Sequence, residues 1–407
     1  MMYQRKLNLS LPPGRSAFLW GARQTGKSTF LKAHFPESYY INLLLFDVFE
    51  RYSKNPSLLR EVIRGLSEAQ KSQPIIIDEI QKIPALLDEI HNLIEEGLSF
   101  ILCGSSARKL KHGGANLLGG RAWRFEFFPL VSAEISNFDI HEALKKGLLP
   151  QIYNETPENA KRSLRAYVRE YLQEEIQAEG LVRNLNAFSK FLDASAFCSG
   201  ELLNYAKIAS DCGVDQKTVK GYFQILYDTL IGYEVLPYMR SKKRDVLQKT
   251  PKFYLFDTGV LNQLTGQEIQ NLAGPIAGKL FEHWVLMELI AYRGYQERDY
   301  PISYWRTRTG LEVDFVLGDA EIAIEVKLSN HVRTSDLKGL RAFSEEHPQA
   351  KCYVVSFDME KRVLENGITI LPWRIFSEYL WQRKRDSLSS ILLENQTKPY
   401  KLEPPHV

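Results

Sequence analysis

The sequence predicts an α/β protein in three parts: an N-terminal parallel sheet, a mainly helical middle region and a C-terminal α/β domain. Three observations carry that prediction. A short apolar run, Ser16 to Trp20, leads straight into a glycine loop and then into a helical pattern. A β-branched run, Pro74-Ile-Ile-Ile, ends in two carboxylates, Asp78 and Glu79. Far downstream, apolar runs of strand length carry Asp314, Glu325 and Lys327, where an unpaired charge is costly.

A chain of 407 residues exceeds what one core usually organises, and boundaries are expected to give domains 1–150, 151–271 and 272–407. Apolar residues at 44% and charged residues at 25% fit a globular protein. The net charge of +3 does not by itself argue for nucleic acid, so any basic surface has to be local. Cys103, Cys198, Cys212 and Cys352 form no C-x-x-C pair, which speaks against a thiolate zinc site or a disulfide framework. No signal-peptide pattern opens the chain and no apolar run approaches the roughly 18 residues of a membrane span. A cytoplasmic protein is the expectation, without a membrane partner.

Each element of the N-terminal part has a chemical reason. Gly21-Ala22-Arg23-Gln24-Thr25-Gly26-Lys27-Ser28, followed by Thr29, has the spacing G-x-x-x-x-G-K-S between a strand and a helix. Gly21 and Gly26 let the backbone turn and aim N–H groups at phosphate oxygens. Lys27 would neutralise the outer phosphates, and Ser28 would offer a hydroxyl to Mg²⁺. The loop is therefore a P-loop for ATP. Asp78, at the end of the buried run, would hold the same Mg²⁺, and Glu79 would polarise the attacking water. Ser99 to Cys103 reads as a further strand ending in Gly104, with Ser105 or Ser106 placed to reach the γ-phosphate. Arg121, on the turn Gly119-Gly120-Arg121, is a candidate to stabilise transition-state charge within the chain or in a neighbouring subunit, and Arg124 lies close by.

The runs GARQTGKST, IIIDEIQ, ILCGSSARKL and LLGGRAWRFEFFPL resemble the prokaryotic AAA-type ATPases joined to a C-terminal domain of unknown function. The likeness continues through Arg165–Leu172 and Lys252–Gly259 and so spans almost the whole chain. It implies an AAA-type fold, ATP and Mg²⁺ as cofactors, and roles for Gly21–Ser28, Asp78, Glu79, Ser105 or Ser106, and Arg121. No later arginine stands out as a second sensor, which departs from hexameric remodelling ATPases.

In the middle region, Thr156-Pro-Glu-Asn predicts a helix start, with helical patterning through Glu179. Glu201 to Tyr233 reads as two helices about the turn Asp211–Asp215, a helix-turn-helix layout. Strands near Glu234–Tyr238 and Phe253–Phe256 would complete a winged helix. Lys217 and Lys220 open the second helix, and Arg240, Lys242, Lys243 and Arg244 fall where a wing would sit. DNA-backbone contact is the functional reading; solvated lysines on a packing module are the alternative.

The C-terminal third reads as an amphipathic helix, Gly278–Gly294, then three strands, a helix and a strand. Asp314, Glu325 and Lys327 form D-x₁₀-E-x-K. Residues i and i+2 share a strand face, so Glu325 and Lys327 point the same way. This resembles the restriction-endonuclease-like fold. That likeness implies Mg²⁺ at Asp314 and Glu325, a polarising Lys327, and Glu282 as an extra acid on the preceding helix. Three functions are compatible with these features: an ATPase acting on or near nucleic acid, an ATP-gated nuclease, and a nucleotide-controlled switch or scaffold, any of them able to work as an oligomer.

Overall fold

The computed structural model describes residues 3–106, 108, 118–172, 184–239 and 250–381. The basic run Arg240, Lys242, Lys243 and Arg244 and the polar tail from 397 lie outside the described residues. Two compact units divide the chain. The first comprises Met1–Val235, Thr250–Gln270 and Gly294–Arg298; the second comprises Leu236–Lys249, Asn271–Arg293 and Asp299–Val407. The first unit thus holds both the N-terminal sheet and the middle helices.

The N-terminal sheet contains β1 (Ser16–Trp20), β2 (Tyr40–Asn42), β3 (Ile75–Asp78), β4 (Phe100–Gly104) and β5 (Ala122–Glu126). Their order is β2-β3-β4-β1-β5 and every neighbouring pair is parallel. Strands β1, β3 and β4 are buried at every position. A parallel strand covered on both faces has to be an unbroken apolar run, which is how these three read in the sequence. Helices α1 (Lys27–His34), α2 (Phe46–Lys54), α3 (Leu58–Arg64), α4 (Glu68–Lys71) and α5 (Leu86–Glu95) follow in the crossovers. In α5 the buried residues Leu86, Leu87, Ile90, Leu93 and Ile94 recur at helical spacing and join one core with Ile75, Ile77, Phe100 and Leu102. Full burial of each such side chain is worth about 1.5–3 kcal/mol, so a charge at Ile77 would break the sheet at its centre.

The middle helix starts where Thr156 accepts from the Asn159 amide at 3.4 Å, with Pro157 in the first turn. The α-helix is Pro157–Ala166, and Tyr167–Leu172 continues it as π-helix. Residues 173–183 lie outside the described part. Three helices follow, Leu185–Phe197, Tyr205–Cys212 and Gln216–Asp228. Gly213, at a φ of 67°, ends the second, and Asp215 caps the third through the Thr218 amide at 2.9 Å. Phe188, Phe191, Tyr222 and Phe223 pack edge to face between them. β6 (Gly232–Pro237) and β7 (Lys252–Leu255) form an antiparallel pair from Gly232↔Leu255 to Val235↔Lys252.

The second unit has strands β8 (Ile302–Arg306), β9 (Glu312–Leu317), β10 (Ile322–Lys327), β11 (Lys351–Ser356), β12 (Arg362–Val363) and β13 (Thr369–Pro372), in the order β12-β13-β11-β10-β9-β8. β8, β9 and β10 are antiparallel, whereas β10, β11 and β13 are parallel. The helix Lys338–Glu346 covers one face through Leu340 and Phe343. The long helix Gly274–Tyr295, whose residues up to Arg293 belong to this unit, differs from the amphipathic pattern expected of it. His283 and Glu288 are as buried as Trp284 and Leu289. The physical reason is local satisfaction, since Glu288 accepts from the Trp381 indole N–H at 2.6 Å.

Candidate nucleotide site

The glycine loop is held from both ends. The Gly21 amide donates to the Gly104 carbonyl at 3.3 Å, which ties the loop to the end of β4. A Cβ at position 21 would lie 2.2 Å from the Phe127 carbonyl oxygen, so no other residue fits there. Gly26 enters α1 with a φ of 93°. The buried Lys27 ammonium donates to the carbonyls of Gly21 at 2.6 Å and Ala22 at 3.0 Å, inside the curl of the loop.

Sequence reasoning missed the brace beneath this loop. Arg5 donates to the Thr25 carbonyl at 2.7 Å, the Phe128 carbonyl at 2.6 Å and the Tyr295 hydroxyl at 2.9 Å. Its Nε lies 2.9 Å from Glu134, and its guanidinium sits 4.0 Å from the centre of the Phe127 ring. Burial alone would lower the Arg5 pKa, but Tyr295 and Glu134 outweigh it and the group stays charged. Tyr167 also touches the loop, at the Arg23 carbonyl, at 3.4 Å. A lone arginine near the chain start carries no motif, so only the fold could reveal it.

Asp78 is buried and surrounded by donors. The Ser28 hydroxyl bonds to its Oδ2 at 2.7 Å, the Tyr40 hydroxyl bonds to the same oxygen, and the Cys103 thiol bonds to Oδ1. Burial, with Asp78 beside them, pushes the Tyr40 hydroxyl and the Cys103 thiol up in pKa, so both remain protonated donors. The register places Cys103 directly opposite Asp78 across β3 and β4, while Tyr40 comes from the neighbouring strand β2, where it pairs with Ile76. Neither Tyr40 nor Cys103 was readable without knowing that strand order.

Glu79 follows in a left-handed conformation at a φ of 61°, costly for a non-glycine residue and therefore held by its surroundings. The Gln81 amide nitrogen donates to Glu79 Oε2 at 2.5 Å and to Ser105 Oγ at 3.0 Å. All three side chains are buried. Ser106 instead faces the middle helices: it accepts from the Arg108 amide at 3.0 Å and lies 3.4 Å from the Asp228 carbonyl, while Arg108 pairs with the Asp228 carboxylate.

The structure therefore brings Lys27, Ser28, Asp78, Glu79 and Ser105 to one sheet edge and leaves Arg121 out. Arg121 immediately precedes β5, whose Ala122 pairs with Ser16 at the start of β1. The loop begins after the other end of β1, about 20 Å along the strand direction. Arg121 instead pairs with Glu95 at 2.5 Å on an exposed surface. Lys217 and Lys220 are exposed, and Lys220 lies 5.3 Å from the Tyr205 ring centre.

The second unit presents another carboxylate group. Asp314 accepts from the Val326 amide at 2.8 Å, and Lys327 pairs with Glu325 Oε1 at 2.6 Å. Glu325 Oε2 is buried without a hydrogen-bond partner. Burial pushes the Glu325 carboxyl up; Lys327 opposes this while Glu282 and Glu312 add to it. Burial would lower Lys327, but Glu325, Asp314 and Glu282 together raise it. Among the described residues no three His, Cys, Asp or Glu side chains form a ready metal cluster, so any cation here would draw on fewer protein ligands.

Comparison with known proteins adds the class. Residues 14–136 match the family described as AAA domain. Residues 137–271 and 277–376 match two domains of unknown function, DUF8612 and DUF4143. Uncharacterized proteins of Mycobacterium tuberculosis and Mycobacterium bovis are each 27% identical over 248 residues, 59% of this chain and 55% of theirs. The chain thus spans about half the length of these curated relatives. A Signal Transduction ATPase with Numerous Domains (STAND) protein with a tetratricopeptide repeat sensor, from Pyrococcus horikoshii, aligns at 12% identity and a TM-score of 0.20. That alignment covers 69% of this chain and 44% of the other. By class, the N-terminal parallel sheet, whose residues match the AAA domain model, has the P-loop NTPase arrangement and is followed by a helical middle region and a C-terminal sheet. Among the described residues, no helix is long and apolar enough to cross a membrane.

Proposed function

We propose that this protein is a Mg²⁺-dependent ATPase that acts on or near nucleic acid. The observation that carries the reading is the convergence of Lys27, the hydrogen-bonded pair Ser28–Asp78, and Glu79 at one edge of a parallel sheet. The donor set suits the ion, because Mg²⁺ prefers hydroxyl, carboxylate and water oxygens. Ser28 and Asp78 would hold it, and the ion would neutralise charge on the transferred phosphoryl group. Lys27 and the loop amides bind the phosphates, Glu79 orients and polarises water, and Ser105 reaches the γ-phosphate. Arg121 would act on the nucleotide of a second copy, since its own loop is at the far end of the sheet.

The nucleic-acid part is supported by three helices followed by the antiparallel β6–β7 pair, which we read as a winged helix, and by the exposed Lys217 and Lys220. Domains 1–150, 151–271 and 272–407 would then be motor, reader and effector. A second reading, an ATP-gated nuclease with a restriction-endonuclease-like effector, is favoured by the unpartnered oxygen of Glu325 beside Lys327. Steady-state ATP hydrolysis with and without DNA tests the first reading. Turnover should exceed that of Lys27→Ala, rise with DNA and lose that stimulation at high salt, as phosphate contacts are displaced by counterions. Turnover that ignores DNA at every salt concentration would leave an ATPase without the nucleic-acid role.

A further inference from the structure

Gln81 belongs to no part of the ATP chemistry assigned above, yet it is buried at its centre. It lies two residues after Glu79, in the short 3₁₀ turn Ile80–Lys82. One amide nitrogen serves two acceptors: Glu79 Oε2 at 2.5 Å and Ser105 Oγ at 3.0 Å. These are the residues proposed to activate water and to reach the γ-phosphate. They come from different strands, and Gln81 is the side chain that joins them.

Two further observations indicate a built arrangement. Gly104 has no side chain where Gln81 lies: a Cβ there would stand 2.0 Å from Gln81 Oε1 and 2.9 Å from the Trp20 ring. Any larger residue at position 104 would push the carboxamide away from both partners. Gln81 Oε1 is itself buried with no hydrogen-bond partner. An orphaned acceptor of this kind costs stability, and the arrangement keeps it in order to aim the amide nitrogen at Glu79 and Ser105.

We propose that Gln81 is a positioning residue for ATP hydrolysis, fixing the Glu79 carboxylate relative to Ser105. The proposal rests on the ATPase reading. The left-handed backbone at Glu79 sets where the side chain starts, and the Gln81 bond to Oε2 sets where it ends. That leaves Oε1 to face the attacking water. A carboxylate tethered at one oxygen holds water in line, whereas one free to change rotamer spends most of its time elsewhere. Misplacement by about 1 Å can cost about 100-fold in rate.

The test uses the full chain with ATP and Mg²⁺, comparing kcat with the Kd for a fluorescent ATP analogue. Gln81→Met fills the same space without donors, and Gln81→Glu keeps the shape but offers only acceptors. Both should lower kcat by about tenfold or more, with Kd within about threefold of wild type. Ser105→Ala added to Gln81→Met should slow turnover no further than the slower single variant, because the two side chains act as one unit. Gln81 variants with wild-type kcat would overturn the proposal, and so would equal losses in kcat and Kd. If Gln81→Met does not fold, Gln81→Glu decides by the same criteria. A wild type no faster than Lys27→Ala removes the ATPase reading and this proposal with it. A fast wild type with an equally fast Gln81→Met removes this proposal alone.

Discussion

Three buried carboxylates of the first unit and Glu325 of the second are treated differently by the fold. Asp78 receives bonds from Ser28, Tyr40 and Cys103. Glu134 receives them from Arg5, the Lys6 amide at 2.6 Å and the Val131 amide at 3.2 Å. Asp257 takes backbone amides of Leu148 at 2.7 Å and Val260 at 2.9 Å. Glu325 has Lys327 on one oxygen and no hydrogen-bond partner on the other. Around Asp78, Glu134 and Asp257 the protein supplies the donors. At Glu325, burial without full pairing leaves a demand that a cation would meet.

The largest expected effect comes from making a satisfied carboxylate unsatisfied. Arg5→Ala strips Glu134 of its charged partner and the loop of its brace, and should cost about 3–5 kcal/mol of stability. Arg5→Lys should recover little, since one ammonium cannot reproduce a planar fork. Urea unfolding of the three proteins measures this, and a loss below about 1 kcal/mol would mean that Glu134 rehydrates.

Asp257 gives the next effect. Burial pushes its carboxyl from near 3.8 up to about 6, against the pull of the backbone amides. The folded state keeps a proton that the unfolded chain has released. Its contribution is therefore full below about pH 4 and is lost as the pH rises through about 6, some 3 kcal/mol in all (about two units at 1.36 kcal/mol each). Stability of wild type relative to Asp257→Asn should fall across that window, and a pH-independent gap would show Asp257 to be ionised throughout.

The smallest effect sharpens the contrast most. Calorimetry on the nucleotide-free chain should detect Mn²⁺ or Mg²⁺ uptake that Asp314→Asn weakens at least about tenfold. Identical titrations of wild type and variant would reduce Asp314, Glu325 and Lys327 to a structural ion-pair group.

What could be read in advance follows the chain's own continuity. The glycine loop and the run ending in Asp78 and Glu79 are contiguous, and burial on both faces makes their strands plain apolar runs. The α/β class was legible for that reason. Arg5, Tyr40 and Cys103 were not, because their meaning depends on partners distant in the chain: Arg5 meets Glu134 and Tyr295, and Cys103 matters only as the β4 partner of Asp78. Gln81 sits beside a motif but signals nothing until Gly104 is seen beneath it. The long helix was misjudged as amphipathic because a buried Glu288 looks exposed until Trp381 is found against it.

The most direct test of the nucleotide site pairs two measurements, equilibrium ATP binding and steady-state turnover, on wild type, Lys27→Ala and Glu79→Gln. Loss of the Lys27 charge should abolish binding or weaken it severely, because the charge-assisted contact to the outer phosphates is gone. Glu79→Gln should bind like wild type yet turn ATP over about 100- to 10,000-fold more slowly, because the loop survives and the water loses its base. A Lys27→Ala protein that binds ATP as wild type does would contradict the P-loop assignment. A Glu79→Gln protein with wild-type turnover would contradict the catalytic one.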